Sequence, residues 1–157
     1  MKKNLFITLV FLLVACSAAP TGPADPSTVP PLAERQTWED ANISHYRFDL
    51  NLGCFCAFRD QMPLHIEAKD GKVVSMQFAD GQSVPSDDVN YEFYLQYATM
   101  ENIFTKIESA QKDPEAGDVT VTYDPALGYP VDAAIDYIKL AADDEMYLTV
   151  SGFEALS

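Results

Sequence analysis

Tyr46-Arg47-Phe48-Asp49-Leu50-Asn51-Leu52-Gly53-Cys54-Phe55-Cys56 alternates side chains with a period of two. Tyr46, Phe48, Leu50, Leu52, Cys54 and Cys56 fall on one side, and Arg47, Asp49, Asn51 and Gly53 on the other. That is the pattern of a strand with one face in a core and one in water. Leu64, Ile66 and Ala68, opposite His65, Glu67 and Lys69, repeat it, and Val74, Met76 and Phe78 supply a third strand. Between the last two strands, a three-residue loop Lys69-Asp70-Gly71 would pair Ile66 with Val74 and Leu64 with Met76, keeping all four on one face. A two-residue Asp-Gly turn would set Glu67 against Val74 and bring the faces into conflict, so the three-residue hairpin with a left-handed Gly71 is expected.

Outward from this block the period changes. Residues 34–44 read as a short helix with Trp38, Ala41 and Ile43 inward. Residues 79–98 show no period, hold Gly81, Pro85, Asp87 and Asp88, and read as a long connection with an aromatic stretch, Tyr91, Phe93, Tyr94 and Tyr97. Thr99 has the place of an N-cap, with Glu101 in the first turn, Met100, Ile103, Phe104 and Ile107 at helical spacing, and Pro114 as the stop. Three further strands follow: Val119, Val121, Tyr123; then Val131, Ala133, Ile135, Tyr137; then Met146, Leu148, Val150. The expected fold is α+β, two helices packed on an antiparallel sheet in the order α-β-β-β-α-β-β-β. Pro63-Leu64-His65-Ile66 corresponds loosely to Pro130-Val131-Asp132-Ala133, as a duplication would leave.

The amino-terminal segment reads as an address rather than as structure. Lys2 and Lys3 precede an apolar stretch from Leu5 to Val14, and Leu13-Val14-Ala15 leads into Cys16. This resembles the lipobox of bacterial lipoproteins, in which the cysteine is lipidated and becomes the new amino terminus. The stretch is about half the roughly 20 residues a membrane-spanning helix needs. The expected organisation is a signal peptide over 1–15, a lipid-anchored tether over 16–33 rich in proline (Pro20, Pro23, Pro26, Pro30, Pro31), and one folded domain over 34–157. In a Gram-negative cell the likeness to lipoproteins implies the outer membrane, since Ser17 rather than Asp follows the cysteine; in a Gram-positive cell only one membrane is available.

Charge narrows the partners. The chain of 157 residues carries 10 Lys+Arg and 24 Asp+Glu, a net charge of −14. Such a surface repels nucleic-acid phosphates and anionic lipid head groups and suits a cationic partner or divalent ions. Acids scattered mostly in ones and twos also serve plain solubility.

Cys54 and Cys56 allow three readings. In an exported protein a disulfide is favoured, but residues two apart in a strand sit roughly 6.5–7 Å apart, so closure needs a turn at Phe55. Free buried thiols are the second reading. The third is zinc, with His45 and His65 each nine residues from the nearer cysteine; strand parity opposes it, because the histidines fall on the polar face and the cysteines on the apolar one. Tyr123, Asp124, Gly128, Tyr129 and Asp136 form a second constellation, either a ligand or acid–base site or a turn in which Asp-Pro and Gly have backbone reasons and tyrosines pack. Asp143-Asp144-Glu145 lacks the spacing of a calcium loop. No nucleophile elbow, zinc-protease helix or phosphate-binding glycine loop is present, and no cofactor or catalytic residue is assigned.

Trp38 ahead of Tyr46, Cys54-x-Cys56, Asp70-Gly71-Lys72-Val73, Tyr123-Asp124, Gly128-Tyr129-Pro130 and Asp136 follow in an order that resembles a small bacterial family of secreted and lipid-anchored proteins, domain of unknown function family 6174, over roughly residues 36–153. The resemblance implies no activity. The expected function is that of a lipid-anchored, non-enzymatic envelope module that binds a protein or peptide. A small hydrolase or thiol-redox protein and a purely structural lipoprotein are the alternatives.

Overall fold

The computed structural model describes residues 33–157. The expected signal peptide, Cys16 and all but the last residue of the expected tether lie outside the described residues. The alternating block becomes β1 (His45–Gly53), in which Tyr46, Phe48, Leu50 and Leu52 are buried while Arg47 and Asn51 are exposed. It is followed by β2 (Leu64–Lys69) and β3 (Lys72–Gln77), and later by β4 (Val119–Tyr123), β5 (Pro130–Ile135) and β6 (Met146–Ala155). All neighbours are antiparallel, in the order β3-β2-β1-β6-β5-β4.

The expected layer of two helices on this sheet is overturned. The described residues form mostly a six-stranded antiparallel sheet with small helices, 34% strand against 24% helix. Helix α1 (Ala33–Ala41) buries only Trp38, so it is a clamp at one end and not half of a layer. A further helix, α2 (Tyr91–Leu95), forms in the stretch expected to be a connection, and breaks the predicted order. Its neighbourhood is held by aromatic packing: Phe58 meets Phe93 and Tyr94 with ring centroids 5.3 and 5.2 Å apart, and the Tyr94 hydroxyl donates to Gln61 Oε1 at 2.7 Å.

Helix α3 (Met100–Lys112) is capped by Thr99, whose hydroxyl accepts from the Asn102 N–H at 3.2 Å. Met100, Ile103, Phe104, Ile107 and Ala110 are buried, and the helix borders β4 and β5. The Tyr46 hydroxyl ties it to β1, accepting from the Met100 N–H at 3.0 Å and donating to Glu101 Oε2 at 3.2 Å. Burial, with the nearby Glu101 charge, holds that phenol well above its ordinary range. Phe48 and Phe104 belong to one hydrophobic core.

The β2–β3 hairpin also departs from expectation. Lys69 pairs with Lys72, and Asp70 and Gly71 both have positive φ (51° and 71°), so the turn has two residues. The face conflict this creates is absorbed inside the strand. Glu67 pairs with Ser75 and Ala68 with Val73, leaving Val74 as the extra residue of a bulge, 57% exposed. Beyond it Met76 pairs with Ile66 and returns to the core. An Asp-Gly pair prefers the tight turn strongly enough that the strand yields.

The sheet is two three-stranded meanders side by side, β1-β2-β3 stepping from the centre to one edge and β4-β5-β6 stepping in the same direction from the other edge to the centre. Each of β4, β5 and β6 thus lies three places from β1, β2 and β3 respectively, an order that does not oppose the expected duplication.

Candidate functional site

One face of the sheet is spent on the core. On the other, β1 presents His45, Arg47 and Asp49, and β2 presents His65 and Glu67. The register sets Asp49 opposite His65, and their side chains meet at 2.6 Å. A carboxylate can only accept, so the proton is on His65 Nδ1 and Nε2 is the nitrogen left for a ligand. His45 Nε2 likewise reaches Glu67 Oε1 at 2.8 Å.

β6 completes the row through an irregularity. Asp49 pairs with Ser151 and Arg47 with Glu154, so Gly152 and Phe153 together stand opposite Phe48. Gly152 has φ +58°, and the bulge turns Phe153 back to the core, where it stacks on Tyr129 with centroids 4.5 Å apart. Glu154 is thereby delivered to the polar face, where Arg47 donates to its Oε2 through Nε at 2.9 Å and Nη2 at 2.6 Å. A Cβ at position 152 would lie 3.2 Å from Asp49 Oδ2, so the glycine also leaves room for that carboxylate.

The result is a groove of about 490 Å³ across β3, β2, β1 and β6, closed on the β3 side by Ser75 and Gln77. With neutral histidines, its charges are Asp49, Glu67 and Glu154 against Arg47, so the lining is acidic. These partly exposed pairs add little to stability, about 0–1 kcal/mol each. Their order is what a partner would read.

The cysteines lie elsewhere. β1 ends at Gly53, and Cys54 and Cys56 turn out of the strand to form a disulfide with Cα atoms 5.1 Å apart. The expected shared apolar face is therefore corrected: the chain leaves the sheet before either thiol. His45 and His65 are bonded to carboxylates on the open face, so the four candidate zinc ligands are not brought together. On loop-closure entropy a cross-link this short contributes about 1.6 kcal/mol, against ~3 for a fifteen-residue loop, so its effect is chiefly local. Phe55, held between the two cysteines, is 84% exposed.

The second constellation divides. Asp124 Oδ1 accepts from the Ala126 and Leu127 N–H groups at 2.9 and 2.8 Å, and Gly128 N–H donates to the Asp124 carbonyl. Gly128 has φ +77° and lies against α1, where a Cβ would run into the Glu34 carbonyl and come within 2.9 Å of Thr37 Cβ. Tyr129 packs edge-on to Trp38, and Tyr123 stacks on Phe104. Burial, with the charges of Glu34 and Glu108, pushes the Tyr123 phenol up to about 12, so it is no base near neutrality. Asp136 is not with them: it follows the far end of β5, its N–H donating to Asp118 and its carboxylate lying over Gly117. Asp144 caps the Ile138 N–H at 2.6 Å.

Residues 32–155 match a family of unknown function, DUF6174. The chain belongs to this family. No curated protein and no solved structure matches it. A DUF6174 assignment lends no catalytic or binding residue, so the site in this member stands on its own geometry. On sequence alone Arg47, Asp49 and Glu67 fall on the polar faces of their strands and the histidines are candidate zinc ligands, while Glu154 is given no place. The signal was present in the basic-x-acidic order shared by β1 and β2, Arg47-x-Asp49 and His65-x-Glu67, but only antiparallel register sets unlike groups opposite each other. Glu154 had no usable signal, because its face depends on the bulge.

Proposed function

We propose that the protein is a lipid-anchored, non-enzymatic binding module of the bacterial cell envelope, held at Cys16 and receiving a protein or peptide partner on the open face of its sheet. The supporting observation is the groove itself: a sheet face left uncovered by the described residues, acidic, and lined by charged side chains in fixed pairs. Pre-paired charges set the orientation and the rate of encounter more than the affinity. An enzyme held in check is one form such a partner takes.

One observation favours a hydrolase, the Asp49–His65 pair with its outward nitrogen. Among the described residues, however, no hydroxyl or thiol is hydrogen-bonded to His65, and the triad logic needs one. The binding reading uses every member of the groove.

The test is photo-crosslinking in the producing cells, with a photoreactive amino acid in place of Glu67 and the Cys16→Ser variant beside it. A discrete protein adduct is expected from the anchored protein, and the Cys16→Ser protein is expected to leave the membrane fraction. No adduct, or a processed and acylated Cys16→Ser protein, would overturn the reading.

A further inference from the structure

Phe55 is the odd residue of the surface. It sits at the tip of the loop after β1, inside the ring closed by Cys54 and Cys56, and Arg59 Nη2 braces the same loop by donating to the Cys54 carbonyl at 3.3 Å. The benzyl group gains almost nothing from the fold, being 84% exposed, while its backbone is held from two sides. A large apolar side chain displayed on a braced backbone has the properties of a binding anchor: much apolar area to bury and little backbone entropy left to lose. The tip stands between two grooves, of about 480 and 360 Å³, and the second is shared with Tyr147, itself 58% exposed.

The surroundings specify the partner's chemistry. Asp60 lines one groove, and Asp143 and Glu145 line the other. The one cation lining both, Arg59, is engaged with the Cys54 carbonyl. The whole chain is acidic at −14. An anionic bilayer is repelled by such a rim, whereas a basic protein surface is attracted to it. We propose that the Phe55 tip is a second docking element, whose occupant is a folded protein offering an apolar cleft for the ring within a basic surface. This rests on the binding-module reading and adds a contact separate from the groove.

The experiment places benzoyl-phenylalanine at position 55 of the full-length protein in the producing cells, with the same probe at Glu67 in the groove and at the exposed Val89 as a control. The expected result is an adduct from position 55 to one protein, joined at a segment rich in Lys and Arg, and none from position 89. With that protein purified, Phe55→Ala should weaken binding at least tenfold, and Asp143→Asn with Glu145→Gln should slow association and flatten its salt dependence. An adduct from 67 but not from 55 would overturn the tip and leave the binding module standing; adducts from neither would remove both. Crosslinks from 55 to lipid, to a second copy of this chain or to an acidic surface would also overturn the proposal, as would unchanged binding by Phe55→Ala.

Discussion

The two faces of β1 are made by the same nine residues and obey different rules. On the covered face Tyr46, Phe48, Leu50 and Leu52 are tied into one core with α3, each position constrained by volume and Tyr46 also by its buried hydrogen bond with the Met100 N–H. On the open face Arg47 and Asp49 are constrained only by which residue lies opposite. Stability therefore resides on one side and the proposed recognition on the other, and a single substitution can address either alone.

The largest break in this comparison should come from the covered face. Phe48→Ala and Phe104→Ala should each cost about 3–5 kcal/mol, the range for emptying a buried aromatic site. Thermal melts of both should show one transition moved down. Two separate transitions would mean that β1 and α3 do not share a core.

Next is Gly128→Ala, at the seam between α1 and the β4–β5 turn. Forcing alanine to φ +77° and a Cβ into the Glu34 carbonyl should cost about 2–4 kcal/mol, read by denaturant unfolding. Asp136→Asn should be nearly silent in the same assay, since its carboxylate lies apart from the Asp124–Tyr129 turn. A large loss of stability for Asp136→Asn would show a load on that carboxylate that its contacts do not reveal.

Gly152→Ala sharpens the comparison, because this residue serves both faces. Left-handed strain should cost about 1–2 kcal/mol. Because the new methyl crowds Asp49, the variant should also lose partner binding out of proportion to its stability. Wild-type binding at reduced stability would confine Gly152 to shaping the bulge.

The smallest effect is expected on the open face. Arg47→Gln and Glu154→Gln should change stability by about 0–1 kcal/mol, as for other exposed ion pairs, with melts close to wild type. A shift above about 2 kcal/mol would make the groove part of the fold and dissolve the distinction between the faces.

Much of the local structure is legible in residue patterns. The period of two in Tyr46–Leu52 and in Leu64–Ala68, the Thr99 cap and the stripe Met100, Ile103, Phe104, Ile107 are read directly, since each follows from short-range geometry. The helix layer was not, because length and periodicity say that α1 can form but not how many of its side chains reach the core. Helix α2 was hidden in an aromatic stretch whose packing against Phe58 is a tertiary fact. The hairpin register failed for a related reason: the turn and the face pattern disagree, and only the folded strand shows that Val74 yields. Strand pairing decided the rest. It placed β6 against β1, carried Asp136 away from Tyr129, and used the bulge at Gly152 to send Glu154 across to Arg47. By itself the chain determined which segments would be strands and which side chains would seek water, because those depend on neighbours two to four residues away. Which polar residues would meet, and where a partner could land, was left to contacts between residues as far apart as Arg47 and Glu154, which no local rule can set.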